Sequence, residues 1–212
     1  METSPEQCAF LQRIVHEIGA RRCLEIGLAN GFSALAIAEA CGGQITTIDP
    51  NQRGLVQNTG LRKLENAGHT VRHFEERSQA VLPRLAGEQF DFAYVDTTKI
   101  FDAVLVDAYY VTRLLRVGGV VAFDDCNWPG VRKVVRYLAH WPHMSVYATF
   151  GKEPSSRLRM LGNRVARVIP HAGKILRSEL IETDEDLGIA AQCVAFQKTA
   201  EDPRLWDWPV VP

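Results

Sequence analysis

The sequence predicts an α/β protein: a doubly wound, mostly parallel sheet of seven strands with helices on both faces. Short apolar runs alternate along the chain with segments of helical periodicity. Glycines stand where the first run gives way to a helix, at Gly27 and Gly31, and acidic residues such as Asp49 and Asp96 follow the apolar runs. Alternating strands and helices form parallel sheets through right-handed crossovers, and such sheets bind ligands beyond the carboxyl ends of their strands.

Length and composition indicate one globular domain over residues 1–212. The net charge of -1 gives no general attraction to nucleic acid. Apolar runs are too short to span a membrane, and the first residues lack the pattern of a signal peptide. The five cysteines occur singly, as is typical of reduced thiols. We therefore predict a cytoplasmic protein without a nucleic-acid partner or a membrane span.

The first helix has a strong start signal. Ser4 is a typical N-cap, Pro5 suits the first helical position, and Gln7 is placed to close a capping box with Ser4. Gly19 ends the apolar stripe of this helix.

Periodicity predicts the elements that follow. The predicted strands cover residues 23–26, 45–48, 70–75, 90–95, 120–123, 145–150 and 193–198. The predicted helices between them cover 33–41, 54–67, 78–85, 104–115 and 131–138. Gly118 and Gly119 are interpreted as a glycine-rich stop after the helix that precedes them.

Residues from about 151 to 188 depart from this alternation and are predicted to form a helical insert. Arg157, Arg164 and Arg167 lie beside an apolar helical face there. By position the insert is suited to fold over the ligand crevice as a lid. Trp206 and Trp208 in the tail suit the contact of a homodimer.

The turn after the first strand has the residue types of a nucleotide-binding loop. Gly27 and Gly31 permit positive φ, and the helix that follows offers free N–H groups to a ligand. The third glycine of the dinucleotide fingerprint is missing, which argues against NAD. The Glu25 carboxylate lies in an apolar strand and needs a partner, and Asp49 is placed to accept hydrogen bonds from ribose hydroxyls.

These residues resemble the cofactor-binding motif of class I S-adenosylmethionine-dependent methyltransferases. The resemblance implies a Rossmann-like methyltransferase fold with S-adenosylmethionine as cofactor, and it covers about Ser4 to Phe150 and the last strand. It places Ser33 at the methionine carboxylate and Ser78 with Gln79 at the adenine, although simple helix capping also explains that pair. The cofactor-binding residues that it implies are Glu25, Gly27, Ala29, Gly31, Phe32, Ser33, Asp49, Pro50, Ser78, Gln79 and Asp96.

Three carboxylates are expected to meet at neighbouring strand ends. Asp96 ends the fourth strand, and Asp124 and Asp125 end the fifth. Like charges so close together require a cation or a proton between them, and a magnesium ion suits their oxygens. The plainer interpretation is that Asp125 caps the next turn and faces solvent.

A more specific resemblance involves the same residues. The segment Asp96-Thr97-Thr98-Lys99 is similar to the Asp-x-x-Lys of metal-dependent catechol and caffeoyl-coenzyme-A O-methyltransferases, and residues 124–130 resemble their Asp-Asn-x-x-Trp-x-Gly. The resemblance implies that Asp96, Asp124 and Asp125 bind the metal. It also implies catalysis by Lys99, as the base that deprotonates the acceptor, beside Asp96. Asp125 stands where the family carries Asn, which leaves the acceptor open.

The predicted function is therefore methyl transfer from S-adenosylmethionine to a hydroxyl group of a small molecule, catechol-like or a vicinal diol, with help from Mg²⁺ or another divalent cation. Lys99 can act as base where burial or a nearby cation lowers its pKa towards neutrality. One alternative is a metal-independent methyltransferase in which Asp124 or Asp125 acts as base or orients the substrate. Another is a non-catalytic cofactor-binding protein whose basic insert docks on a partner or an anionic membrane.

Overall fold

The computed structural model describes residues 3–152, 182–205 and 207–208. Seven strands form one sheet: β1 (Arg22–Ile26), β2 (Gln44–Ile48), β3 (Val71–Phe74), β4 (Phe90–Val95), β5 (Leu115–Phe123), β6 (Met144–Lys152) and β7 (Ala191–Lys198). Their order across the sheet is β3-β2-β1-β4-β5-β7-β6. β7 is antiparallel to β5 and β6, and the other neighbours are parallel. The predicted mostly parallel, seven-stranded sheet is confirmed.

The helices cover both faces of this sheet, as predicted. They are α1 (Pro5–Glu17), α2 (Phe32–Cys41), α3 (Thr59–Asn66), α4 (Ser78–Val81), α5 (Phe101–Leu114) and α6 (Pro129–Ala139), with a 3₁₀ turn (Leu82–Leu85) after α4. Phe92 of β4 shares a core with α1, α2 and α3, whereas Val121 of β5 shares a second core with α5 and α6. The two apolar layers fix the carboxyl ends of β1, β2, β4 and β5 at one edge.

The start of α1 differs from the prediction in one respect. Ser4 is the N-cap, as expected, because its hydroxyl accepts a hydrogen bond from the backbone N–H of Gln7 at 3.2 Å. The predicted capping box is wrong, since the Gln7 side chain instead donates to the Tyr94 hydroxyl at 3.0 Å. Gln7 is only 2% exposed, and a buried amide gains more from a buried partner than from the end of its own helix.

The helix predicted over residues 54–67 begins only at Thr59. Gln57 and Asn58 have φ values of 52° and 59°, which a right-handed helix cannot contain. The backbone N–H of Asn58 donates to the Gln52 carbonyl at 2.6 Å, so the chain closes a turn before the helix starts. This turn brings Gln52 close to the glycine loop.

The pair Gly118 and Gly119 is part of a strand, and the predicted helix stop is wrong. Helix α5 ends at Leu114, and β5 begins at the next residue. The register of β5 against β4 shifts between Phe90 and Phe92, beside these glycines. A Cβ on Gly119 would lie 3.0 Å from the backbone oxygen of Asp91, so the irregular pairing favours a residue without a side chain.

Most of the predicted insert lies outside the described residues, including Arg157, Arg164 and Arg167. Its described ends are the last residues of β6 and the turns at 184–188. Trp206 also lies outside the described residues, whereas Trp208 is half-buried. Among the helices of the described ranges, none has the length and apolar character that a membrane span needs.

Candidate active site

The glycine loop between β1 and α2 is shaped by contacts that admit no side chain. Gly27 has a φ of 96°, and a Cβ there would lie 1.8 Å from the backbone oxygen of Asp96. Gly31 has a φ of 71°, and a Cβ there would lie 2.8 Å from the Cα of Gly60. Both glycines are therefore needed to bring the loop against the ends of β4 and α3.

Asp49 at the end of β2 holds the loop in place. One of its carboxylate oxygens accepts hydrogen bonds from the Ala29 backbone N–H at 2.7 Å and from the Gln52 side-chain amide at 3.1 Å. The other accepts from the Asn51 backbone N–H at 2.8 Å. Each carboxylate oxygen can accept two hydrogen bonds. The oxygen that accepts from Asn51 can therefore accept a second one, from a ligand hydroxyl.

Glu25 and Ser33 form a buried pair behind the loop. The Ser33 hydroxyl donates to one Glu25 oxygen at 2.5 Å, and the other Glu25 oxygen has no hydrogen-bond partner among the described residues. Glu25 is fully buried, and burial raises the pKa of its carboxyl well above the usual value, although Ser33 opposes the shift. Glu25 thus holds the side chain of Ser33, and Ser33 lines the smaller of two cavities.

Two cavities open at this edge of the sheet. The larger, of about 840 Å³, extends from the glycine loop past Asp49 and Pro50 to Ser78 and Gln79. The smaller, of about 220 Å³, is lined by Thr3, the loop from Gly27 to Gly31, Phe32, Ser33 and Asp96. Gly27, Ala29 and Asp96 line both, so the two cavities adjoin. Their combined extent is of the size that binds small ligands and cofactors.

The structure brings the three predicted acids together. One carboxylate oxygen from each of Asp96, Asp124 and Asp125 lies within 4.8 Å of the others. The Lys99 ammonium lies 2.6 Å from an Asp96 oxygen and 2.8 Å from an Asp125 oxygen. The plainer interpretation of Asp125, a turn cap that faces solvent, is not what the structure shows.

The charges of this cluster act on one another. Burial raises the pKa of the Asp96 carboxyl, with Lys99 acting in the opposite direction. Burial also acts to lower the pKa of Lys99, but Asp96 and Asp125 outweigh it and the pKa is raised. Lys99 is therefore an ammonium ion in this arrangement, and the lowered pKa that a base requires is not reached here.

The carboxylate oxygens just after β4 and β5 are ligands of the kind that bind a divalent cation. Three carboxylates carry more negative charge than one lysine neutralises, and Mg²⁺ prefers carboxylate oxygens together with water or substrate oxygens. The donor set of Asp96, Asp124 and Asp125 therefore suits such an ion.

Two residues of this site were not predicted from the sequence. Gln52 is fully buried, and its side-chain amide donates to the Ala29 carbonyl at 2.9 Å as well as to Asp49. Tyr94 is fully buried and donates to Asp124 at 2.9 Å. A tyrosine between Ala93 and Val95 in a buried strand is the signal that would have revealed it, since a buried hydroxyl needs a partner.

Comparison with known proteins identifies the chain's family. Residues 1–151, well over half of the chain, match the O-methyltransferase family. The chain belongs to the O-methyltransferase family. Its glycine loop, acidic cluster and Lys99 all lie within the matched residues.

Curated relatives of this O-methyltransferase family member occur in plants. Tapetum-specific methyltransferase 1 of Arabidopsis thaliana is 32% identical over 132 residues, which are 59% of this chain and 55% of that protein. Caffeoyl-CoA O-methyltransferase 1 of Zea mays is 32% identical over 155 residues, which are 65% of this chain and 58% of that protein. The chain thus spans less than two thirds of the length of these relatives.

Solved structures share the fold. An O-methyltransferase from Bacillus cereus, in complex with SAH, has a TM-score of 0.62 at 24% identity, covering 69% of this chain and 74% of its own. The O-methyltransferase TomG of Streptomyces achromogenes, in complex with SAM, has a TM-score of 0.66 at 21% identity, covering 94% and 82%. These similarities confirm the predicted Rossmann-like methyltransferase fold of this family member.

Proposed function

We propose that this O-methyltransferase family member transfers the methyl group of S-adenosylmethionine to a hydroxyl group of a small molecule, a catechol-like compound or a vicinal diol, and that a divalent cation assists. The observation that supports this proposal is that Asp96 belongs both to the cavities beside the glycine loop and to the acidic cluster. It lines both cavities beside the glycine loop, and its carboxylate is part of the three-acid cluster. A methyl donor and a cation-bound acceptor placed in these sites would be neighbours.

S-adenosylmethionine would supply a methyl group activated on a sulfonium. Ser33 and the loop from Gly27 to Gly31 line the smaller cavity and suit the methionine portion. Asp49 has one open acceptor direction for a ribose hydroxyl, and Ser78 with Gln79 lines the far end of the larger cavity, where the adenine would bind. The work of these residues is alignment, because methyl displacement requires donor and acceptor in line.

Mg²⁺ or a similar cation would act as a Lewis acid that lowers the pKa of the acceptor hydroxyl. Asp96, Asp124 and Asp125 would bind it. Lys99 pairs with two of these carboxylates, Asp96 and Asp125, and would give up those contacts to a bound cation. Without the two carboxylates that raise its pKa, Lys99 would be able to accept the proton of the acceptor.

The same ion pairs support a second candidate, a metal-independent methyltransferase. In that reaction the Lys99 ammonium itself balances Asp96 and Asp125, and Asp124 or Asp125 orients the acceptor or takes its proton. Full turnover of the wild-type chain in a strong chelator would support this candidate and contradict the first.

The experiment that tests the proposed function begins with calorimetric titration of the chain with S-adenosylmethionine. A screen of catechols and related diols for uptake of a labelled methyl group follows. Saturable cofactor binding and methylation of at least one diol support the proposal. Cofactor binding without transfer to any hydroxyl compound would instead support the non-catalytic alternative.

The cellular setting and partners belong to the same proposal. We place the protein in the cytoplasm, with a small-molecule acceptor and without a nucleic-acid partner. All five cysteines are free thiols, which suits a reducing compartment. A homodimer stays a prediction from the sequence.

A further inference from the structure

A buried chain of hydrogen bonds connects helix α1 with the acidic cluster. The Gln7 side-chain amide donates to the Tyr94 hydroxyl at 3.0 Å, and that hydroxyl donates to an Asp124 oxygen at 2.9 Å. Gln7 is 2% exposed, Tyr94 0% and Asp124 7%. We call these three residues the relay.

The direction of the relay follows from its chemistry. An ionised carboxylate can only accept, so the Tyr94 proton must point to Asp124. The Tyr94 oxygen is then left to accept, and the Gln7 amide is the group that donates to it.

The relay fixes the orientation of the Asp124 carboxylate. Tyr94 holds one oxygen, and the backbone N–H of Asp125 holds the other at 2.8 Å. Each oxygen keeps one further acceptor direction, which is available to a cation. Hydrogen bonds of this kind orient metal-binding carboxylates and are worth about 10- to 100-fold in metal affinity.

The other end of the relay lies in helix α1, and the residues just before this helix reach the smaller cavity. Thr3, just before the Ser4 cap of α1, lines the smaller cavity together with Ser33 and Asp96. The position at which α1 packs on the sheet therefore affects the wall of the smaller cavity. Through Gln7 and Tyr94 it also affects the orientation of the Asp124 carboxylate.

We propose that Tyr94 is a positioning residue for the cation site, and that Gln7 acts through it, so that the docking of α1 sets the affinity of Asp124 and its neighbours for a divalent cation. The inference rests on the proposed function, because that function supplies the cation. It adds residues that the family motifs quoted above do not contain.

The test is cation binding by the complete chain, measured by calorimetry with Mg²⁺ and by the electron paramagnetic resonance of Mn²⁺. Tyr94→Phe keeps the ring in the core and removes only the hydroxyl. We expect it to weaken cation binding about tenfold. Gln7→Leu should weaken it less, and the double variant should bind no more weakly than Tyr94→Phe alone, because Gln7 acts through Tyr94.

Tyr147→Phe is the matched control. The Tyr147 hydroxyl also bonds to helix α1, through Glu17 at 3.1 Å, but it does not touch the acidic cluster. Its removal should leave cation affinity unchanged. Thermal unfolding and binding of S-adenosylhomocysteine show whether each variant is folded, and Gln7→Leu provides a second route to the relay should Tyr94→Phe not fold.

The outcomes separate the two proposals. Wild-type affinity in folded Tyr94→Phe, or an equal loss in Tyr147→Phe, would overturn the relay and leave the proposed function intact. A wild-type chain that binds neither Mg²⁺ nor Mn²⁺ would overturn the cation site itself, and the relay's assigned role with it.

Discussion

The Lys99 ammonium nitrogen lies 2.8 Å from a carboxylate oxygen of Asp125. Asp125 has a φ of 52°, in the left-handed region that Asp and Asn tolerate better than other residues with side chains. The backbone at this position thus favours the Asp of this chain and the Asn of the resembling families alike. What differs between them is one negative charge beside Lys99.

Replacing Asp125 separates charge from shape. Asp125→Asn keeps an oxygen donor and the left-handed backbone, so we expect it to bind Mg²⁺ more weakly by about 1 kcal/mol, roughly fivefold, through loss of charge alone. Asp125→Ala loses the donor as well and should bind more weakly still. Calorimetric titration of both variants measures the difference, and equal affinity of wild type and Asp125→Ala would remove Asp125 from the cation site.

Lys99 is expected to act on chemistry and not on cofactor binding. Lys99→Met should lower kcat by about 10²- to 10⁴-fold, the usual contribution of a general base. Lys99→Arg keeps a positive charge beside Asp96 and Asp125 but cannot accept a proton, so its kcat should fall similarly. Turnover numbers and calorimetry with S-adenosylhomocysteine provide the measurement. Near-normal kcat in Lys99→Arg would show that Lys99 supplies charge and not base catalysis.

A substitution of Gly27 tests how tightly the glycine loop is packed against the end of β4. Gly27→Ala would place a Cβ 1.8 Å from the backbone oxygen of Asp96, so we expect a loss of about 3 kcal/mol or more in the free energy of unfolding, together with lost cofactor binding. Gly19→Ala is the control, because Gly19 also has a positive φ but nothing lies within 4 Å of a Cβ there. It should cost only about 1 kcal/mol. Similar melting temperatures for the two variants would contradict the close contact.

Asp107 in α5 makes stability depend on pH. Burial raises the pKa of its carboxyl from 3.8 to about 6, with the Ser78 hydroxyl acting in the opposite direction. The folded state holds this proton more tightly than the unfolded state, so the contribution to stability is full below pH 3.8 and is lost as the pH rises through 6.

Asp107→Asn should therefore stabilise the protein at pH 7.5 by about 1 to 3 kcal/mol and have little effect near pH 4. Asp102→Asn, on the exposed side of the same helix, should change stability by less than about 0.5 kcal/mol at both pH values. Denaturant unfolding at the two pH values measures this. A constant difference between Asp107→Asn and wild type across pH would contradict the shifted pKa.

Local sequence pattern was sufficient to predict the glycine loop and the acidic residues at the ends of the strands. Glycines at a strand-to-helix turn and acids at strand ends could be located from local pattern, because a parallel sheet brings its strand ends to one edge. The proximity of Asp96 to Asp124 followed from that rule and from adjacent strands, without any knowledge of side-chain contacts.

The rest depends on contacts that local pattern does not encode. Gln7 and Tyr94 are 87 residues apart, and the signal at Gln7 pointed to its own helix cap. Gln52 donates to the Ala29 carbonyl, 23 residues away in the chain, and positive φ at Gln57 and Asn58 excludes the residues before Thr59 from the helix that their periodicity predicts. In both cases a buried polar side chain found a distant partner, and tertiary burial outweighed the local preference.

The most direct test of the cation-assisted reaction is methyl transfer to a diol acceptor with and without a divalent cation. The chain is treated with a strong chelator, assayed with labelled S-adenosylmethionine, and assayed again after Mg²⁺ is restored, with Asp124→Ala in parallel. We predict that the chelator abolishes transfer by wild type, that Mg²⁺ restores it, and that Asp124→Ala stays inactive throughout. Full activity of wild type in the chelator, with Asp124→Ala equally active, would contradict the cation-assisted reaction.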